Sequence, residues 1–127
     1  MKNKVSKPTE SELEILTVLW QKGKSSVRTV HEELSKTKEC GYTTTLKLMQ
    51  IMFEKKLVNR DSSSKIHIYE AAVNKEKTQR LFVNKMIQNL FSGSSSQMIL
   101  QALGNHTASK QELGEIEAYI AKLKAGH

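Results

Sequence analysis

Residues 43–56, TTTLKLMQIMFEKK, form the stretch whose side-chain types and spacing best suit contact with another molecule. Placed at 100° per residue, they predict a helix with one apolar arc and an opposite face of hydroxyl, amine and amide groups. Hydroxyl and amine groups bind phosphate oxygens, an amide pairs with an adenine edge, and an apolar tip meets a thymine methyl. The residues of this helix that we predict to contact DNA are Thr43, Thr44, Leu46, Lys47 and Gln50.

Each outward residue of this central helix has an expected partner. Thr43 and Thr44 lie at its start, where free N–H groups and the helix dipole favour a phosphate, although either threonine could instead be the N-cap. Lys47 is expected to contact a phosphate or a guanine, and Gln50 an adenine edge. The alternative is an ordinary amphipathic helix with a solvated outer face. The inward arc comprises Thr45, Leu48, Met49 and Met52.

Two shorter helices are predicted before the central helix, and they are expected to position it. Thr9 and Glu12 have the spacing of a capping box at the start of the first helix. Ser25 or Ser26 is expected to cap the second helix, on whose polar side Arg28 would hold the DNA backbone. The apolar stripes are Leu13, Leu16, Leu19 and Trp20 in the first helix and Val27, Val30 and Leu34 in the second.

A β-hairpin is predicted after the central helix. Residues 57–60 and 65–70 are rich in β-formers, the second segment alternates with a period of two, and residues 61–65 form a polar turn between them. Three helices followed by a hairpin is the order of a winged helix-turn-helix, whose third helix enters the major groove while the hairpin tip lies along the backbone. The wing residues that we predict to hold the backbone are Ser63, Ser64 and Lys65, with a merely solvated turn as the alternative.

Residues 74–127 are predicted to be helical, with a serine-rich break at residues 92–96 and a short apolar segment that ends at Gly104. Ser109 and Glu112 make a second capping box, and the last helix has the three-four spacing of a coiled-coil seam. Three short helices cannot close a large core alone, so we predict burial against a second copy, with folding back on the first domain as the alternative. The predicted dimerisation residues are Leu81, Met86, Leu90, Ile99, Leu103, Leu113, Ile116, Ile120 and Leu123.

These elements predict a mainly α chain with two domains. A winged helix-turn-helix domain would span residues 1–73, with three helices and a β-hairpin wing, and a helical dimerisation domain would span residues 74–127. A chain of 127 residues is long enough to bury a core in such a domain without disulfides.

The charge balance favours a polyanionic partner. The chain has 20 Lys and Arg against 13 Asp and Glu, a net charge of +7, which suits nucleic acid or an anionic membrane surface. The segment MKNKVSKPTE lacks the apolar core of a signal peptide, and no stretch approaches the roughly 18 apolar residues of a membrane span. The single cysteine, Cys40, fits a reducing compartment, so we expect a cytoplasmic protein.

Catalytic and metal-binding chemistry have little support in the sequence. Cys40 lies in a loop with His31 upstream, and such a pair could in principle make a nucleophile, but a loop cysteine is more often inert. The histidines at positions 31, 67, 106 and 127 lack close metal-ligand spacing, and there is no HExxH motif, P-loop or dinucleotide fingerprint. We expect no enzyme activity, no metal and no cofactor.

Several segments, in this order and at these spacings, resemble the penicillinase-repressor family, the BlaI/MecI/CopY type of bacterial transcriptional repressors. The resemblance covers nearly the whole chain. Its most specific part is TESELEIL at residues 9–16, followed by Leu19 and Trp20. The other matching segments are VRTV at residues 27–30, GYTTT at residues 41–45, KKLV at residues 55–58, and Tyr69.

The resemblance implies a homodimer whose N-terminal winged helices bind a two-fold symmetric operator and block transcription, while the C-terminal helices hold the dimer. In the best-known members a membrane-bound sensor metalloprotease triggers cleavage at an Asn-Phe bond, where this chain has Gln101-Ala102. Release by an upstream sensor or by proteolysis is therefore expected, without the familiar cleavage pair. No cysteine follows Cys40, so the motif of the copper-responsive branch is missing, and Lys56 replaces a glycine often found after the recognition helix.

A second hypothesis places the chain in a different class of protein. A winged helix can serve as a protein-interaction adaptor without specific DNA binding. A salt series separates the two hypotheses, because operator binding weakens steeply with salt through counterion release.

Overall fold

The computed structural model describes residues 7–105 and 107–126. The chain forms two compact units, Met1–Gln79 and Arg80–His127, which are described separately below. This division falls within the fourth helix, six residues beyond the boundary expected between residues 73 and 74, and the functional domain boundary stays a prediction. Residues 1–6 of the N-terminal segment, together with His106 and His127, lie outside the described residues.

The first helix, α1 (Glu10–Lys22), begins at the predicted capping box. The backbone N–H of Glu12 donates to Thr9 Oγ1 over 3.2 Å, and the Thr9 N–H donates to Glu12 Oε1 over 2.9 Å. Gly23 ends the helix with φ 79°, and its N–H donates to the Leu19 carbonyl. A positive φ suits glycine, because glycine has no Cβ to clash with the backbone.

A two-residue strand, β1 (Ser25–Ser26), precedes the second helix, α2 (Val27–Leu34), and it was not predicted. Ser26 caps α2, since its Oγ accepts a hydrogen bond from the Thr29 N–H. Ser25 is buried and pairs with Tyr69 in the sheet, whereas Ser26 also caps α2.

The third helix, α3 (Tyr42–Glu54), starts one residue before the predicted central helix and ends two residues before its predicted end. Its N-cap is Gly41, which makes no side-chain capping bond, so neither Thr43 nor Thr44 is the cap. At the other end, the Leu57 N–H donates to the Met52 carbonyl and the Lys56 N–H to the Phe53 carbonyl. These two bonds form a Schellman motif, with Lys56 at φ 68° in the position that usually holds glycine.

A hairpin of β2 (Val58–Asp61) and β3 (Ile68–Ala71) follows α3 and completes an antiparallel sheet in the order β1-β3-β2. The last pair in the hairpin is Asp61 with Ile68, so residues 62–67 form the wing tip. Residues 65–67 were predicted to begin the second strand, and this was wrong because the pairing starts only at Ile68.

The three helices and the hairpin enclose one hydrophobic core, as the winged-helix order predicts. Tyr69 from β3 is 1% exposed and lies among buried side chains of α1, α2 and α3. Trp20 is only partly buried, and its Nε1–H donates to the Val73 carbonyl over 3.1 Å. Ile15 and Val18 lie outside the stripe predicted for α1 yet are buried, because α1 contacts α2, α3 and β3. The buried hydrophobic residues are Ile15, Leu16, Val18, Leu19, Val27, Val30, Met49, Met52, Leu57, Val58 and Tyr69.

The C-terminal part contains α4 (Lys75–Leu90), α5 (Ser95–Asn105) and α6 (Lys110–Ala125). The second capping box is confirmed: the Glu112 N–H donates to Ser109 Oγ, and the Ser109 N–H donates to Glu112 Oε1, each over 3.0 Å. Ser95 and Ser96 belong to α5 instead of the predicted break, and Gly104 lies inside α5 instead of ending it. No described residue of α5 or α6 is fully buried.

Candidate nucleic-acid interface

The outer face of α3 presents the side chains that the sequence selects for DNA contact. Thr43, Thr44, Lys47 and Gln50 are exposed, and Leu46 is partly buried against the core. The opposite face carries Thr45, Met49 and Met52, which are fully buried, and Leu48, which is partly buried. The helix is therefore firmly seated on one side and free to contact a partner on the other.

The start of α3 is attached to α2 through His31. His31 Nδ1 lies 3.2 Å from Thr45 Oγ1, and its ring meets the Tyr42 ring edge-on, with centroids 5.5 Å apart. Cys40 Sγ lies 3.9 Å from His31 Nδ1, so the Cys/His pair that the sequence analysis considered and set aside does lie in contact. Since His31 Nδ1 also lies close to the buried Thr45 hydroxyl, we interpret the cluster as a packing contact that orients the first turn of α3.

The end of α3 is attached to the start of α1 by an ion pair. Lys55 Nζ lies 2.7 Å from Glu12 Oε1, the same oxygen that accepts the Thr9 N–H. The Glu12 side chain is 3% exposed and the Lys55 side chain 25%. Both ends of α3 are thus held by contacts to neighbouring helices, which fixes the direction of its exposed face.

A groove of about 380 Å³ separates α3 from the wing tip. Four of the predicted DNA-binding residues line it together: Arg28, Leu46, Gln50 and Lys65. The lining also includes Ser26, Tyr42, Ile66 and His67, which the sequence interpretation did not select. Of the described residues that line this wing groove, none is acidic, so the groove suits a negatively charged strand.

Three of the unselected residues could have been found from the sequence. Tyr42 lies immediately before the segment chosen as the central helix, and Ile66 and His67 follow Lys65 in the segment assigned to a strand. If the predicted turn had ended at residue 67 instead of residue 65, it would have included Ile66 and His67 in the wing tip.

Thr43, Thr44 and Lys47 are exposed on α3 but do not line the wing groove. Thr43 and Thr44 are the second and third residues of the helix, a position whose free N–H groups suit a phosphate. Lys47 lies one turn further along the same helix. The exposed face of α3 and the wing groove therefore hold all the predicted contacts except Ser63 and Ser64.

The wing serines are engaged in contacts within the turn. The Ser63 N–H donates to Asp61 Oδ1 over 2.9 Å, and Ser64 Oγ donates to the Ile66 carbonyl over 3.0 Å. Hydrogen bonds from Ser63, with a smaller contribution from Lys24, hold the pKa of Asp61 below its usual value. A carboxylate with a lowered folded-state pKa stabilises the turn above its unfolded-state pKa, and this contribution is lost as pH falls through the folded value.

The predicted dimerisation residues lie in the C-terminal helices, and most of them are exposed in the single chain. An apolar groove of about 720 Å³ runs between α5 and α6. Ile99, Leu103, Ile116, Ile120 and Leu123 line this groove. The remaining predicted residues, Leu81, Met86, Leu90 and Leu113, are exposed outside it.

Residues 7–105 and 107–126 were searched for metal sites and for membrane-spanning helices. No group of three or more His, Cys, Asp or Glu side chains lies close enough to hold a metal ion. No helix has both the length and the apolar character that crossing a membrane would require.

Comparisons with known proteins agree with this geometry. A model of the family described as Penicillinase repressor matches residues 8–122. The methicillin resistance regulatory protein MecI of Staphylococcus aureus (strain N315) is 25% identical over 126 residues, which cover 96% of this chain and 99% of that protein. The transcriptional regulator BlaI of Mycobacterium tuberculosis (strain CDC 1551 / Oshkosh) is also 25% identical over 126 residues, covering 98% of this chain and 90% of that protein.

Among solved structures, the DNA binding domain of the repressor BlaI matches with a TM-score of 0.52 and 22% identity, over 58% of this chain and 90% of that one. The fold and the exposed face of α3 define a winged helix-turn-helix protein, the class that docks a recognition helix in the major groove. The chain belongs to the penicillinase repressor family. It is a DNA-binding transcriptional repressor.

Proposed function

We propose that the chain acts as a homodimer that binds a two-fold symmetric DNA operator, with α3 in the major groove of each half-site. Gln50 pairs with an adenine edge, Lys47 contacts a phosphate or a guanine, and Leu46 meets a thymine methyl. Thr43 and Thr44 bind a phosphate at the helix start. Arg28 and the wing residues Ser63, Ser64 and Lys65 hold the backbone. Because a bacterial repressor acts on DNA inside the cell, this proposal places it in the cytoplasm.

One observation carries the DNA part of the proposal. The exposed polar face of α3 adjoins a groove that collects Arg28, Gln50 and Lys65 from three different elements and includes no acidic side chain among its described lining residues. Basic and amide groups from separate elements are needed to hold one strand while the bases beside it are recognised.

The dimer part rests on unburied apolar surface in α4, α5 and α6. Leu90 is 71% exposed, and Ile99, Ile120 and Leu123 are each exposed by more than two fifths. Ile99, Ile120 and Leu123 share one apolar groove, and proteins rarely leave such a groove open unless a partner covers it. A second copy supplies the same surface, as a two-fold interface requires.

Release of the repressor by an upstream sensor or by proteolysis is the third part of the proposal. Gln101 and Ala102 stand at the position of the cleavage pair named by the family resemblance, and both are exposed within α5. A protease binds an extended backbone, so cleavage here requires local unfolding of α5. Cleavage between Gln101 and Ala102 would disrupt α5 and therefore the apolar groove that Ala102 lines, which would weaken the proposed dimer.

A salt series on the purified chain tests the DNA part. Fluorescence anisotropy compares duplex DNA from upstream of its own gene with a scrambled duplex at several salt concentrations. We expect tight, sequence-dependent binding that weakens steeply with salt, and Lys47→Ala should reduce the slope of log affinity against log salt by about one. A Glu54→Ala variant is the control, because Glu54 lies on the same helix beyond the predicted contacts.

Weak binding that is equal on both duplexes would require a selection from random-sequence DNA. Failure of that selection to enrich any sequence would contradict the proposal and favour the protein-interaction adaptor.

A further inference from the structure

The wing tip exposes the apolar side chain of Ile66, which is not part of the hydrophobic core. Ile66 is 65% exposed, more than any other large hydrophobic residue in the described part of the first unit. Single exposed hydrophobic residues are common on protein surfaces and alone mean little. Ile66, however, lies between Lys65 and His67, and all three line the wing groove.

The tip that carries Ile66 is tied together by its own hydrogen bonds. Ser64 Oγ donates to the Ile66 carbonyl, and Asp61 Oδ1 accepts the Ser63 N–H at the other side of the turn. The Asp61–Ile68 pair closes the ladder immediately below. Ile66 therefore projects from a turn with an internal framework, anchored to the same sheet that packs on the core.

The position of the wing groove determines which part of DNA the tip meets. Gln50 and Leu46 form the α3 side of the groove, and Lys65, Ile66 and His67 form the wing side. In duplex DNA a single sugar-phosphate strand separates the major groove from the neighbouring minor groove. If α3 occupies the major groove, the bordering strand lies in the wing groove beside Arg28, and the wing tip lies over the minor groove.

We propose that Ile66, flanked by Lys65 and His67, enters the minor groove next to each half-site and selects A·T pairs there. This inference rests on the DNA binding proposed above and adds a second recognition surface to it. It assigns to the wing tip a role in specificity, beyond the backbone contacts expected of Ser63, Ser64 and Lys65.

Two physical effects favour A·T pairs under this tip. A narrow A·T minor groove concentrates negative potential and attracts basic side chains such as Lys65. A G·C pair places the guanine 2-amino group in the minor groove, and an apolar side chain such as Ile66 offers that donor no acceptor. Burying the amino group without a partner costs free energy, so G·C is disfavoured wherever Ile66 makes contact.

Inosine separates recognition in the minor groove from recognition in the major groove. Inosine is guanosine without the 2-amino group, so an I·C pair resembles A·T in the minor groove and G·C in the major groove. The experiment uses the full chain and the duplex that it enriches from random sequence. Each pair in and beside the half-site is changed in turn to A·T, G·C or I·C, and the affinity is measured by anisotropy.

We expect at least one flanking position where A·T and I·C bind alike, within about twofold, and G·C binds more weakly by about fivefold or more. Ile66→Ala should reduce the differences at that position to within about twofold and leave the preferences inside the half-site unchanged. Ile51→Ala is the matched control, because Ile51 is an exposed isoleucine of α3 that does not line the wing groove.

Three results would overturn the inference. They are equal binding of all three pairs at every flanking position, I·C binding as weakly as G·C, and full flanking preference retained by Ile66→Ala. Failure of the underlying function looks different, since the chain would then not distinguish the enriched duplex from a scrambled one.

Discussion

Lys56 adopts a backbone conformation that a side chain opposes. Its φ of 68° places it in the left-handed region, where the Cβ of an ordinary residue crowds the following carbonyl at a cost of roughly 1–2 kcal/mol. The Schellman bonds from Lys56 and Leu57 require this conformation at the end of α3. The family resemblance implies glycine at this position, and the positive φ gives the physical reason why glycine suits it.

Lys56→Gly should therefore stabilise the protein by about 1 kcal/mol, since the relieved strain exceeds the extra entropy that glycine loses on folding. Chemical denaturation measures the gain. Lys56→Ala is the control, because alanine removes the charge and keeps the strained φ. An equal gain from both variants would show that the strain comes from the lysine side chain beyond Cβ and not from a Cβ at positive φ.

Gln50 is the residue on which base specificity should depend most. It is exposed on α3 and lines one side of the wing groove, and in the proposed complex it pairs with an adenine edge in the adjoining major groove. Gln50→Ala should weaken binding to the correct site by roughly 1–3 kcal/mol and reduce discrimination at one base pair. Competition titrations with duplexes altered at single positions measure this. A uniform loss on all duplexes would instead indicate a backbone contact.

Contacts at both ends position α3, and the contact at its C-terminal end is the pair between Lys55 and Glu12. The two atoms are 2.7 Å apart, and the Glu12 side chain is almost fully buried. Removing one partner of a buried pair leaves a charge without compensation. The pair joins the end of the DNA-contacting helix to the capping box of α1.

Lys55→Met should destabilise the protein by about 2 kcal/mol, less than for a fully buried pair because Lys55 is one-quarter exposed. Adding Glu12→Gln should recover part of the loss, because the amide oxygen still accepts the Thr9 N–H without a buried charge. Fully additive losses in this double-mutant cycle would refute a direct interaction.

The exposed ion pair between Lys38 and Glu14 is a control for the double-mutant cycle of Lys55 and Glu12. The hydrogen bond from Lys38 to Glu14, over 2.8 Å, raises the pKa of Lys38, yet both side chains are more than two-fifths exposed. Because solvent screens such a pair, Lys38→Met should have the smaller effect on unfolding.

Sequence patterns predicted the helices of the winged domain well but not the whole sheet. Helical periodicity and the capping box at Thr9 and Glu12 are local signals, and both capping boxes have their predicted bonds. The strand β1 consists of two serines that pair with Tyr69 and Ile68, more than 40 residues away. Two residues contain no local pattern that predicts such a distant partner. The length of the wing tip also depends on where the strands pair, so it could not be predicted from local patterns.

The proposed repressor contains two copies of the chain. The predicted dimerisation residues were chosen from apolar spacing, and the structure shows which of them share the groove between α5 and α6. The spacing of apolar residues could predict that these side chains are buried against another surface. It could not predict the geometry of a partner, because that geometry depends on two chains.

Ile120→Glu should convert the proposed dimer to a monomer, because a charge in the apolar groove would be buried without a partner. Operator affinity should then fall about a hundredfold or more, since the two winged helices are no longer linked. Sedimentation and anisotropy measure the two effects. Ala118→Glu is the control, as Ala118 is exposed on α6 outside the groove, and equal behaviour of the two variants would exclude this groove as the interface.

The spacing between the half-sites tests the proposed symmetric dimer with the protein left intact. Inserting about five base pairs between the half-sites of the enriched operator turns one half-site to the opposite face of the duplex, because half-sites repeat with the helical turn of about 10–10.5 base pairs. A symmetric dimer with two α3 helices should lose about a hundredfold in affinity, to the level of a single half-site. Unchanged affinity would contradict the proposed dimeric repressor.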